Sequence, residues 1–118
     1  MFSLSSSHHF YLYNGPTDMR KSFDGLCGII QHHVGRNPLA GDVFIFVNRR
    51  RDRLKLLHWE RGGFVLYYKR LEKGTLELPV SNSANISFEI EWSCLVMMVE
   101  GISYEKTKKR KRYLHEIY

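Results

Sequence analysis

The stretch Val43-Phe44-Ile45-Phe46-Val47-Asn48-Arg49-Arg50-Arg51-Asp52-Arg53-Leu54-Lys55-Leu56-Leu57-His58-Trp59 decides how this chain folds. Its first five residues are β-branched or aromatic with no polar interruption, the pattern of a strand buried on both faces. A polar loop of turn-forming residues follows, then Leu54 to Trp59, then Glu60-Arg61-Gly62-Gly63, then Phe64-Val65-Leu66-Tyr67-Tyr68. Two short connections joining three strands predict an antiparallel meander.

Upstream, Phe10-Tyr11-Leu12-Tyr13 is a short aromatic run that Asn14-Gly15-Pro16 should end as a strand. From Thr17 the period changes: Met19, Phe23, Leu26 and Ile30 recur at spacings of four, three and four, which predicts a helix with Thr17 or Asp18 as cap and Gly35 as left-handed stop. Downstream, Thr75-Leu76-Glu77-Leu78 alternates and predicts a further strand before Pro79. After Ser87, the residues Ile90, Cys94, Met97 and Met98 share one helical face and Phe88, Trp92, Leu95 and Val99 a neighbouring one, with Gly101 as the stop. The expected fold class is α+β: a single compact domain over residues 1–104, in which an antiparallel sheet of four or five strands packs with one or two helices, followed by a flexible basic tail at 105–118.

At 118 residues, with 43% hydrophobic and 25% charged side chains, the chain has room for one packed domain. No apolar run is long enough to span a bilayer, and Met1 to His9 lacks the basic and apolar regions of a signal peptide, so a soluble cytoplasmic protein is expected. Cys27 and Cys94 both fall in apolar helical stretches and read as buried thiols rather than a disulfide framework.

Chemistry on small molecules finds little support. No Cys-x-x-Cys or His-Glu-x-x-His spacing is present, and the pairs His8-His9 and His32-His33 point their rings apart, so neither a metal nor any other cofactor is expected. No Ser or Cys sits in a nucleophile elbow. Asp18, Asp24, Asp42 and Asp52 all have cap, surface or turn contexts, so the chain is not expected to be an enzyme.

Charge is the informative property. The net charge is +6, but residues 49–73 alone carry nine basic residues (Arg49, Arg50, Arg51, Arg53, Lys55, Arg61, Lys69, Arg70, Lys73) against Asp52, Glu60 and Glu72. On a hairpin, Arg53 and Lys55 project from one face with the three loop arginines at its end. Together with Lys69 and Arg70 this predicts a basic surface for nucleic-acid backbone, with a log–log salt slope of roughly −4 to −6. The competing reading is a charged edge strand that discourages aggregation. Lys106 to Arg112 form a second basic segment.

The blocks Tyr11-Leu12-x-x-Gly15-x-Thr17-Asp18-Met19-Arg20-Lys21-x-Phe23-Asp24-Gly25-Leu26, Phe44-x-Phe46-x-Asn48-Arg49-Arg50-Arg51-Asp52-Arg53-x-Lys55, Trp59-Glu60-Arg61-x-Gly63-Phe64, Tyr68-Lys69-Arg70-Leu71-Glu72-x-Gly74 and Glu100-Gly101-Ile102 stand in an order that composition does not explain. Together they resemble the small accessory protein, often called TnpB or the second reading frame, of insertion sequences of the sixty-six type. The resemblance implies a non-catalytic role in DNA transposition beside a separate transposase that carries the acidic catalytic residues, and it transfers no catalytic or cofactor residue. DNA and the transposase are the expected partners. Asp18, Arg20, Lys21 and Trp92 form a second candidate interaction surface, and the alternative is an adaptor that docks on the transposase or on a second copy through the late helix around Trp92, Leu95 and Val99, or through the sheet edge, without touching DNA. Association with a second copy is left open.

Overall fold

A computed structural model describes residues 4–79 and 84–100. Five strands, β1 (Phe10–Pro16), β2 (Val43–Val47), β3 (Arg53–Glu60), β4 (Gly63–Arg70) and β5 (Ser87–Ile90), form one sheet in the order β4-β3-β2-β1-β5. Helix α1 (Phe23–Ile29) runs on into a π-helical turn (Ile30–Val34), and helix α2 (Trp92–Glu100) follows β5.

The meander is present. β2 pairs antiparallel with β3, setting Val43 against His58 and Val47 against Leu54, and β3 pairs antiparallel with β4 from Arg53/Arg70 to Glu60/Gly63. The second connection is tighter than the expected loop. Only Arg61 and Gly62 lie outside the strands, with φ of 48° and 82°, the positive pair that a two-residue hairpin turn requires.

β1 departs from the antiparallel expectation by lying parallel to β2, Phe10 beside Val43 and Leu12 beside Ile45. The connection through residues 17–42 is long enough to carry α1 across a sheet face, and such a crossover returns the chain in the same direction. Two boundaries also move. Ser87–Ile90 is a strand, antiparallel to β1, rather than the start of the late helix. Phe88 and Ile90 alternate with polar neighbours, a period of two that also fits a helical spacing when read with Cys94. Thr75 to Leu78 is not a strand: Leu76 is 3% exposed, and its N–H donates to the Arg51 carbonyl at 2.6 Å.

Alternation along the strands divides the interior between two faces. Phe10, Leu12, Val43, Ile45, Val47, Leu54 and Leu56 pack with Leu95, Met98 and Val99 of α2, while Phe44, Phe46 and Leu57 pack with Leu26, Ile29 and Ile30. The two helices therefore cover opposite faces, which explains why all of β2 is buried. Each buried aliphatic contributes roughly 1.5–3 kcal/mol. α1 starts at Phe23, later than its period implied, with Ser22 as N-cap but no side-chain cap bond, and Phe23 is left 41% exposed. Gly35 ends the π turn at φ 74°, as expected of a left-handed stop. The Gly101 stop and the 105–118 tail lie outside the described residues.

Cys27 and Cys94 are free and belong to opposite faces of the sheet, and burial pushes both thiols up, with Asp24 and Glu91 respectively adding to the shift. No helix among the described residues is long and apolar enough to cross a membrane.

His9 and Glu89 join β1 to the edge strand β5 at 2.6 Å. The hydrogen bond and then the charge of Glu89 raise the His9 pKa above 6.5. Because the folded value is the higher one, the stabilisation is complete below about pH 6.5 and fades as pH rises through the folded pKa. An NMR titration of the His9 ring should show a midpoint above 6.5, and Glu89→Gln should bring it down.

Candidate nucleic-acid interface

The carboxyl ends of β1, β2 and β4 and the amino end of β3 meet at one end of the sheet, because Pro16, Val47, Leu54 and Lys69 follow one another across the register. The segments that leave there, residues 17–22, 48–52 and 71–79, carry Arg20, Lys21, Arg49, Arg50, Arg51 and Lys73 against Asp18, Asp52, Glu72 and Glu77. Arg53 and Arg70, cross-strand partners, add two more cations at the strand ends. At the opposite end Arg36 and Arg61 are outnumbered by Asp42, Glu60, Glu89 and Glu91. Among the described residues the fold thus gathers a linear charge cluster at one end of the sheet.

Residues 48–52 owe their shape to Asn48. Its Oδ1 accepts the N–H groups of Asp52 and Arg53 at 3.1 and 3.0 Å, and its Nδ2 donates to the Asp52 carboxylate at 2.6 Å. The Arg51 N–H returns to the Asn48 carbonyl at 3.1 Å, and Arg51 adopts φ 58°. Asn and Asp stabilise turns by this kind of local bonding. The Asn48 amide, and then the nearby Arg53 and Arg50 charges, hold the Asp52 carboxyl below its usual range. With the local carboxylate so engaged, the side chains of Arg49, Arg50 and Arg51 are exposed and make no hydrogen bond or ion pair among the described residues. Asn48→Ala removes three partly buried bonds and is expected to cost about 2 kcal/mol at roughly 0.5–1 kcal/mol each, measurable as a lower urea midpoint.

The other expected ligands separate. Arg53 lies on the α1 face and donates from Nη1 to the Tyr68 hydroxyl at 3.2 Å. Arg70 clasps Glu72 through Nε and Nη2 at 3.1 and 2.8 Å. Lys55 does share the Arg53 face, but it is only 5% exposed. Its Nζ donates to the carbonyls of Met19 and Lys21 at 2.8 and 2.7 Å and lies 4.5 Å from the Tyr68 ring centroid. Lys55 therefore ties the sheet to residues 17–22, with its ammonium engaged by backbone carbonyls and not exposed with Arg53. Lys69 points to the other face, where its ammonium binds the Val99 carbonyl in the last turn of α2, a favourable place for a cation.

In the second candidate surface, Asp18 and Arg20 pair with each other, Nη2 to Oδ2 at 2.6 Å, and that hydrogen bond holds the Asp18 pKa at about 2. Thr17 is not a cap. It is 4% exposed and its N–H donates to the Val47 carbonyl at 2.8 Å. Lys21 is exposed beside this pair, whereas Trp92 lies at the other end of the sheet, half-buried against Phe10 with ring centroids 5.5 Å apart. Leu95 and Val99 of the adaptor face are buried against their own sheet. The sequence points to Thr17 only as a helix cap and to Tyr68 only as an aromatic strand residue, and it assigns Asn48 no role beyond its place in the loop. The signal that could have found Asn48 is its position as a turn-forming residue at the end of a strand.

Among the described residues no group of three or more His, Cys, Asp or Glu is placed to hold a metal ion. A five-stranded, mostly antiparallel sheet between two helices, with loops at one end of the sheet that concentrate basic side chains, defines a small α+β protein with a basic loop cluster. The chain belongs to the family described as IS66 Orf2 like protein, whose model matches residues 8–109. It is also similar to protein y4jC of Sinorhizobium fredii (strain NBRC 101917 / NGR234), 28% identical over 95 residues that cover 80% of each chain. Protein y4hO of the same organism is 29% identical over 102 residues, covering 86% of this chain and 87% of that one. No solved structure matches this chain.

Proposed function

We propose that this protein is a non-catalytic accessory factor of insertion-sequence transposition that holds element DNA at its basic end, beside a separate transposase. The supporting observation is the hairpin loop of Arg49, Arg50 and Arg51: three exposed guanidinium groups without partners among the described residues, on a backbone that Asn48 holds through its side-chain hydrogen bonds. Guanidinium groups bind phosphate through paired hydrogen bonds and release condensed counterions, and neither effect requires a base to be read. Family membership supplies the setting in transposition.

Fluorescence-anisotropy titration of labelled duplex and single-stranded DNA at several salt concentrations tests this reading. With Lys55, Lys69 and Arg70 engaged elsewhere, four contacts, from Arg49, Arg50, Arg51 and Arg53, set the log–log slope at roughly −4 on duplex. Absence of binding at low salt overturns the proposal.

A further inference from the structure

Beside the arginine loop lies a cleft of about 450 Å³, bounded on one side by Pro16, Thr17, Asp18 and Met19 and on the other by Asn48, Arg49, Arg50 and Arg53. It opens outside the carboxyl ends of the parallel strands β1 and β2, where open α/β sheets commonly receive ligands. Three features of its lining point to one chemistry.

The first is an orphan. The Thr17 hydroxyl is buried and has no hydrogen-bond partner among the described residues, although its own N–H is engaged by the Val47 carbonyl. Buried hydroxyls without partners are rare in native proteins, because the lost hydration is not replaced. The second is the charge: the guanidinium groups of Arg49 and Arg50 are unpaired among the described residues, and Arg53 is steadied by the Tyr68 hydroxyl. The third is the state of the carboxylate. Asp18 would repel an anion, but Arg20 meets it through Nε at 2.9 and 3.1 Å and Nη2 at 2.6 Å, so the pair presents little net charge. Lys55 ties down the carbonyls of Met19 and Lys21, and Asn48 ties down the opposite wall, so both sides of the cleft are held.

We infer that this cleft seats one phosphate group, with the Thr17 hydroxyl as hydrogen-bond donor and Arg49, Arg50 and Arg53 as its charge partners. Resting on the DNA-binding reading, the inference identifies that phosphate as a backbone phosphodiester, whose fixed seat sets the register of the strand on the protein while Arg51 reaches a neighbouring one.

Inorganic phosphate and an oligonucleotide without terminal phosphates, each titrated into the full chain, distinguish free phosphate from backbone as the source. In ¹H–¹⁵N spectra at constant ionic strength, phosphate should shift the amides of Thr17, Asp18, Asn48, Arg49 and Arg50 as a group, with chloride as the control. Thr17→Val should leave thermal stability unchanged or raised, since the hydroxyl has no partner among the described residues to lose. It should weaken both phosphate and oligonucleotide about tenfold, the effect of one hydrogen bond to a charged group, and Thr17→Ser should restore binding. Equal binding by wild type and Thr17→Val, or phosphate shifts spread over all basic residues alike, overturns the seat. In that case, loss of oligonucleotide binding in an arginine-loop variant still upholds the DNA reading. Phosphate seated in the cleft with no oligonucleotide bound upholds the seat and overturns the DNA reading.

Discussion

Replacing Arg49, Arg50 and Arg51 together by alanine is expected to lower duplex DNA affinity about 500-fold at about 0.1 M salt. The size follows from counterion release. Each phosphate contact changes affinity in proportion to salt raised to about the 0.9 power, so one contact at 0.1 M amounts to a little under tenfold, and three exceed a hundredfold. The same variant should flatten the log–log slope from near −4 to about −1, leaving Arg53. Folding should change little, because the three side chains are exposed and bond to nothing among the described residues, and the loop conformation belongs to Asn48. The φ of 58° at Arg51 is no easier for alanine, so any loss of stability should be small. The loss of affinity should be similar for unrelated DNA sequences, since backbone contacts carry no base information. A variant that binds as wild type does would move the interface elsewhere. Retained affinity with a flattened slope would show that the arginines contribute charge but no decisive contact.

Lys55→Ala should be the most damaging single change in the basic set, and for a reason unrelated to DNA. Burying an ammonium costs several kcal/mol, which here is offset by two carbonyl acceptors and the face of Tyr68. Truncation removes both bonds and leaves a void beneath residues 19–21. The expected loss is about 3–4 kcal/mol, or a Tm lower by roughly 10–20 °C. Lys55→Met separates the causes. It refills the space of the stem without a donor, so it should recover part of the stability, to a deficit of about 2 kcal/mol, while residues 17–22 still come loose from the sheet. Hydrogen exchange at Met19 to Ser22 should then quicken in both variants. If Lys55→Met were as stable as wild type with unchanged exchange in that segment, the tie would be packing alone.

Neighbouring basic residues thus play opposite parts, the loop arginines facing water and Lys55 buried, a contrast that composition does not reveal. A run of arginines announces charge. It does not say which cations face water. Arg53 and Lys55 sit two apart on one strand and share a face, as alternation requires, yet the segment after β1 lies over Lys55, so the ammonium is buried there and Arg53 is not. Lys69 was grouped with Arg70 by adjacency, and the pleat sends it to the opposite side, to the end of α2. The Asp18–Arg20 pair is legible in sequence as a block of residues but not as a self-neutralising unit, and the period that predicts Thr17 or Asp18 as a helix cap begins upstream of the start of α1 at Phe23.

Local pattern determined much about this protein. The five-residue run of β2, the hairpin that follows it, the glycine at the end of the π turn and the apolar character of both helices are short-range properties, set by side-chain period and turn chemistry within a few residues. The block order carried the family. Tertiary structure decided the parallel pairing of β1 with β2, the conversion of Ser87–Ile90 into an edge strand, the placing of the helices on opposite faces, and the division of the cations into exposed and buried. The physical reason is common to all four. Each depends on which distant segment supplies the missing backbone partner or covers an apolar face, and hydrogen bonding and burial reward such contacts only in three dimensions, where residues eighty positions apart, such as His9 and Glu89, become neighbours.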